Sequence, residues 1–276
     1  MKEPGPIIVT HLFPDVLDEL VELLSSLTAE EWQRPTACPL WSVKDVALHL
    51  LGGEVGILSR KRDGFSPGGD SIISWEELVA LINDLNDTWV KATRRLSPRL
   101  LCDLLKLTGT QVCEYFATLD PFEVRGPVQW ASDKPAPVWL DLAREYTERW
   151  HHQQQIRDAV GKPGLKEPRY FAPVIDAFVR ALPRTYKEFH AKEGTLVALT
   201  VTGESGGRWF VLREKEGWNL YLDHDAEPAA EIVIDEETAW RLFTKGLTKD
   251  EARERVEIIG EATLALKALD MVSVIA

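Results

Sequence analysis

The sequence lacks three features that would settle its class at once: a long apolar run, an excess of positive charge and a cysteine framework. No stretch of the 276 residues approaches the roughly 20 apolar residues that a membrane helix needs, so no membrane association is expected. The N-terminus, Met1-Lys-Glu-Pro-Gly-Pro-Ile-Ile, has no basic region leading into an apolar stretch and a small-residue cleavage site. The expectation is a cytoplasmic protein. Against 44 Asp and Glu stand 32 Lys and Arg, a formal charge of -12. That is the wrong sign for a surface that binds phosphate, so nucleic acid is not an expected partner. Cys38, Cys102 and Cys113 are odd in number and form no C-x-x-C pair, which argues against both a disulfide framework and a zinc ribbon. They read as free thiols filling small apolar gaps. Internal repeats and low-complexity tracts are missing too. What is present is a 45% hydrophobic, 28% charged composition, on a chain long enough for two domains.

Helix starts are marked by capping boxes at Thr28 with Glu31, Ser42 with Asp45 and Ser74 with Glu77, the last two reinforced by staples of Trp41 with Val46 and Ile73 with Leu78. Apolar residues recur at helical spacing over Val16, Leu20, Leu23, Leu24 and Leu27, and again over Val43, Val46, Ala47, Leu50 and Leu51. A third helix is predicted from Trp75 to Leu96, stopped near Pro98. A fourth runs from Val138 to Val160, ended by Gly161 and Pro163. These make a four-helix bundle over residues 1–165. The intervening stretch from Pro98 to Pro137, apolar and aromatic around 112–119, is expected to cover one end of the bundle.

Beyond Gly164 the texture changes. A helix over 171–189 is expected to break at Pro183. Short β-type runs follow at 195–202, 209–213, 218–222 and 231–234, with a hairpin loop at 214–217. Helices return at 236–244 and 262–269. Residues 166–276 therefore read as a small α+β domain with an antiparallel sheet.

The chemistry concentrates in Glu145-Tyr-Thr-Glu148-Arg-Trp-His151-His152-Gln-Gln-Gln155. Glu148 and His152, four apart, project from one helix face one turn from each other and can reach one metal ion. His49 sits on or beside the apolar stripe of the second helix, so it points inward and can supply a third ligand. Two imidazoles and a carboxylate leave a coordination position open, the arrangement of a catalytic ion. Spacing alone does not separate this from a chance Glu–His pair and a hydrogen-bonded core histidine. His151, about 100° round the helix from His152, is expected at the surface or behind the site. Trp41 and Trp150 read as packing residues.

The run Leu27-Thr-Ala-Glu-Glu-Trp32, then Pro39-Leu-Trp41-Ser-Val-Lys-Asp45-Val-Ala-Leu-His49, resembles the first half of the mycothiol-dependent maleylpyruvate isomerase family, related to the DinB-like metal-binding bundles. Thr147-Glu148-Arg-Trp-His-His152, continuing through Ile156-Arg157-Asp-Ala-Val-Gly161, is similar to its second half. More faintly, Thr202-Gly-Glu-Ser-Gly-Gly-Arg208-Trp209, the run at Trp218 and the helix end at Trp240–Gly246 resemble its second, sterol-carrier-like domain. The resemblance implies a divalent metal, zinc before nickel, held by His49, Glu148 and His152, and a low-molecular-weight thiol such as mycothiol as co-substrate. The implied reaction is a thiol-assisted isomerisation or S-transfer on a small electrophilic, carboxylate-bearing substrate. Metal-dependent hydrolysis, or non-catalytic ligand binding with a structural metal, are the alternatives. Arg208 and Arg241 are the candidates for gripping the carboxylate, and a monomer or homodimer is expected. Where many relatives carry Asp three residues after the last ligand, this chain has Gln155, a neutral amide that accepts a hydrogen bond without strengthening the ligand as a carboxylate would.

Overall fold

A computed structural model describes residues 1–66, 68 and 74–274. The chain sorts into two compact units. One comprises Thr10–Asp120 with Glu148–Leu165, and the other Met1–Val9, Pro121–Thr147 and Lys166–Val274.

The first unit is helical. It contains α1 (Phe13–Ser25), α2 (Val43–Gly56), α3 (Trp75–Thr93), α4 (Pro98–Ala117) and the second half of α5 (Val138–Val160). The Ser42 and Ser74 capping boxes open α2 and α3 as predicted. The Thr28–Glu31 box forms too, but it starts only a single 3-10 turn, Glu31–Gln33. The staple at Ile73 lies outside the described residues.

α2 is the central helix. Val43, Val46, Ala47, Leu48, Leu50 and Leu51 are all buried, over more than half of the helix circumference instead of one narrow stripe. α3 and α4 pack on it, and α1 packs on α4. Leu20 and Leu24 of α1, Leu101 and Leu105 of α4, and Ile156 and Val160 of α5 complete one core with it. Close approach is built in at two glycines. A Cβ on Gly52 would lie 2.7 Å from the Trp89 indole, whose Nε1 donates to the Leu48 carbonyl at 2.8 Å. A Cβ on Gly109 would lie 2.5 Å from Leu17 Cδ1 and 2.9 Å from Glu54 Oε1.

The bundle holds one long helix more than the spacing predicts. α4 occupies what reads in sequence as an irregular cover, because Pro98 begins a helix there instead of only ending one. It stands in the first turn, where its missing N–H costs nothing, and Ser97 caps the start by accepting from Leu100 N. α3 stops at Thr93, short of the expected Leu96.

The second unit begins with a two-stranded ribbon, β1 (Val124–Pro127) and β2 (Pro135–Pro137), which leads into the first half of α5. It continues with α6 (Pro168–Val179) and α7 (Leu182–Tyr186). The expected break falls between these two helices, with Pro183 in the first turn of the second. Then come β3 (Leu196–Thr202), β4 (Gly207–Glu214), β5 (Gly217–Tyr221), β6 (Ala230–Asp235), α8 (Glu236–Phe243), α9 (Lys249–Arg253), β7 (Glu257–Gly260) and α10 (Ala262–Lys267).

The five strands lie in the order β5-β4-β3-β6-β7. The β4–β5 hairpin turns through Lys215 and Glu216, with Glu214 opposite Gly217, as the sequence suggests. Three pairings are antiparallel, but β3 and β6 are parallel. After the hairpin the chain crosses back past both β4 and β3 to the far side of β3, and the strand it then adds runs in the same direction as β3. β3, with five of its seven residues buried, is the central strand.

Candidate functional site

α2 and α5 bring two imidazoles to one carboxylate. His49 Nε2 lies 3.0 Å from Glu148 Oε1, and His152 Nε2 lies 3.1 Å from the same oxygen. The ligand atoms of the three residues all stand within 4.8 Å of one another. The imidazole rings meet edge to face, centroids 4.6 Å apart. His152 is buried, whereas the Glu148 side chain is 34% exposed, so solvent reaches the group from the carboxylate side.

The arrangement follows from local structure. The Ser42 cap fixes where α2 begins, and His49 then falls on a turn whose neighbours Val46 and Leu50 are buried. On α5 the four-residue interval stacks His152 over Glu148. A neutral amide stands beside each imidazole: the Asn86 side chain of α3 beside His49, and Gln155 with its Oε1 2.7 Å from His152 Nδ1. The Trp41 indole packs against His49 with ring centroids 5.1 Å apart.

Charge is distributed unevenly across the group. Burial holds His49 below the usual imidazole range. Burial also opposes charge on His152, but the adjacent Glu148 carboxylate outweighs it and pushes that pKa up to about 10. Glu148 is crowded by protein, which disfavours its charge, yet the His152 charge and the hydrogen bonds from both imidazoles hold it well below the ordinary carboxylate range.

The donor set fits a borderline divalent ion. Two imidazole nitrogens and one carboxylate oxygen are what zinc takes at bond lengths near 2.0–2.1 Å, and around a tetrahedral centre such atoms stand about 3.3 Å apart. The two imidazole–carboxylate separations of 3.0 and 3.1 Å would have to open by a few tenths of an ångström, and the two imidazole nitrogens, within 4.8 Å of each other, would have to reach the same spacing. Among the described residues this is the one cluster of His, Cys, Asp and Glu with that geometry.

The remaining predicted residues fall elsewhere. Arg208, on β4, pairs with Glu231 at 2.7 Å and lies over the Phe210 ring. Arg241, on α8, contacts Glu237 at 3.4 Å and lies over the Trp240 ring. Both belong to the second unit. His151 is not at the surface: it is buried with its ring centroid 4.0 Å from that of His152. Trp150 is fully buried and donates to the Leu165 carbonyl, a packing residue as read. All three cysteines are free thiols, but Cys38 does more than fill a gap, since its Sγ donates to Gln155 Oε1 at 3.0 Å. Cys38 and Trp41 also wall a cavity of about 470 Å³ together with Pro35, Lys44, Asp45 and Arg94. Neither Asn86 nor Cys38 carries a spacing signal, because each comes from an element whose register against α2 and α5 is set only by packing.

Fold and site together define a helical bundle that gathers two histidines and a carboxylate, followed in the same chain by an α+β part. Residues 13–157 match the model of the mycothiol maleylpyruvate isomerase N-terminal domain, and the chain belongs to that family. Two solved structures share the fold: the mycothiol-dependent maleylpyruvate isomerase, TM-score 0.53 at 12% identity, and a histidine-to-alanine variant of it, TM-score 0.54 at 11% identity. Each match covers 92% of this chain and 92% of the other. No curated protein matches the sequence.

Proposed function

We propose that the chain is a metal-dependent, thiol-assisted isomerase or S-transferase with mycothiol as co-substrate, acting on a small electrophilic substrate that bears a carboxylate. His49, Glu148 and His152 would hold one divalent ion, zinc before nickel. The observation that carries this reading is that both Nε2 atoms converge on one oxygen of Glu148, at 3.0 and 3.1 Å. Removing two imidazoles and a carboxylate from water is costly, and stability alone does not require it. A three-ligand site with an open position does.

When bound, such an ion lowers the pKa of a thiol that joins it, raising the thiolate fraction at neutral pH. The chain's own residues supply position. Asn86 and Gln155 hold the imidazole rings, Trp41 limits rotation of His49, and the exposed side of Glu148 leaves an approach for small molecules. Arg241 and Arg208 are the residues proposed to hold the substrate carboxylate, in an enzyme proposed to act in the cytoplasm.

His49→Ala, Glu148→Ala and His152→Ala test the assignment through zinc and nickel content measured by elemental analysis. Each variant should retain less than a tenth of the wild-type metal while its far-UV spectrum stays helical. Full metal retention by two of the three would end the proposal. Turnover should also require added thiol, and turnover that persists without thiol would point to hydrolysis instead.

A further inference from the structure

His152 has a second side. Away from Glu148, its Nδ1 faces Gln155 Oε1 at 2.7 Å, and the same oxygen takes the Cys38 thiol at 3.0 Å. Gln155 lies one turn along α5, whereas Cys38 precedes α2 and comes from 117 positions away in the chain. The contact is therefore tertiary, not a by-product of the helix.

A carbonyl oxygen has two lone pairs, and here an imidazole N–H and an S–H each use one. Once the ring is neutral, as binding an ion through Nε2 requires, an imidazole that keeps its proton on Nδ1 and gives it to Gln155 has its Nε2 lone pair on the side where Glu148 lies. The opposite arrangement is reached by turning the amide half a revolution. Its NH2 group would then donate to Nδ1, the ring proton would move to Nε2, and Nε2 could no longer bind an ion. The Cys38 thiol discriminates between the two. It is a donor that needs the oxygen, and sulfur is a weak acceptor for an NH2 group.

We propose that Cys38 is a positioning residue: its S–H fixes the orientation of the Gln155 amide, and through it the His152 tautomer that offers Nε2 to a divalent ion. This rests on the metal reading given above, and the test separates the two. Zinc affinity, by competition with a chromophoric chelator, is measured for wild type and for Cys38→Ala, Cys38→Ser, Gln155→Ala and the double variant Cys38→Ala/Gln155→Ala, with far-UV spectra confirming the fold. Exchange of the His152 Nδ1–H is followed by ¹H–¹⁵N NMR in the metal-free protein.

Cys38→Ala should weaken zinc binding about tenfold, the lower end of the effect of removing an outer contact to a ligand. Cys38→Ser, which restores a donor, should stay within about threefold of wild type, and the double variant should bind no more weakly than Gln155→Ala alone. The Nδ1–H should exchange about ten times faster in Cys38→Ala than in wild type or Cys38→Ser, in step with the weakened contact. Wild-type affinity and exchange in Cys38→Ala, or a double variant whose loss is the product of the two singles, overturns the proposal. If wild type fails to bind zinc while the Nδ1–H responds as described, the metal reading falls and the Cys38 contact stands.

Discussion

Glu54 offers the clearest quantitative test of the bundle interior. Its side chain points from α2 toward α4, only 3% of the residue is exposed, and Thr108 Oγ1 lies 2.5 Å from its Oε2. Thr108 has one proton and two acceptors, since the Leu104 carbonyl stands at 2.8 Å as well. A protonated Glu54 resolves this by donating to Thr108, which then donates to Leu104. Burial favours the same state: it pushes the carboxyl up to about 7 against the opposing pull of Arg149 and the Thr108 contact.

The linkage is direct. Between the unfolded value of 4.5 and about 7 the folded protein holds a proton that the unfolded chain has released. Stability from this group is therefore greatest at low pH, falls as pH rises through that window, and is level above it. The full difference is about 3 kcal/mol, of which roughly 2.5 kcal/mol falls between pH 5 and pH 8. Glu54→Gln keeps the shape without the ionisation. Urea unfolding of both proteins, prepared with the same metal content, should show the variant gaining about 2–3 kcal/mol relative to wild type between pH 5 and pH 8. Contributions from His152 and Glu148 are common to both proteins and cancel. A stability difference that is flat across that range would refute the reasoning.

Two further expectations concern α4. Gly109→Ala places a methyl group within 2.5 Å of Leu17 Cδ1 and 2.9 Å of Glu54 Oε1. The overpacking should outweigh the gain in helix propensity and cost about 1–3 kcal/mol, seen as a lowered melting temperature, and a raised one would show that α4 can move aside. Ser97→Ala removes the acceptor for Leu100 N and should cost about 1 kcal/mol by urea titration, while an unchanged midpoint would mean that Pro98 alone secures the helix start.

Periodicity made α1 and α2 legible because their apolar residues must face a core, Gly161 and Pro163 marked the end of α5, and capping chemistry located the starts of α2 and α3 within a residue. α4 is hidden because a proline can end a helix as well as open one. Its buried positions, Leu101, Leu105, Val112 and Phe116, keep helical spacing, and the Ser-Pro pair at 97–98 is a start signal in its own right. In the second unit the four short strands stood out by composition. β7 did not, having only four residues and an exposed edge, and the parallel β3–β6 pairing is a property of the crossover that no single strand encodes.

The sequence by itself determined the helical character of the first part, the α+β character of the second, and which side chains lay on one helix face, since these depend on interactions a few residues long. It put Glu148 and His152 one turn apart and turned His49 inward. Only the tertiary structure decided that the His49 ring meets the same carboxylate oxygen as His152, that the Asn86 and Gln155 amides stand beside the two rings, and that Cys38 reaches Gln155 from 117 positions away. Those contacts depend on how one helix is rotated and shifted against another, and that is set by close packing of whole helices around α2 rather than by the residues that meet.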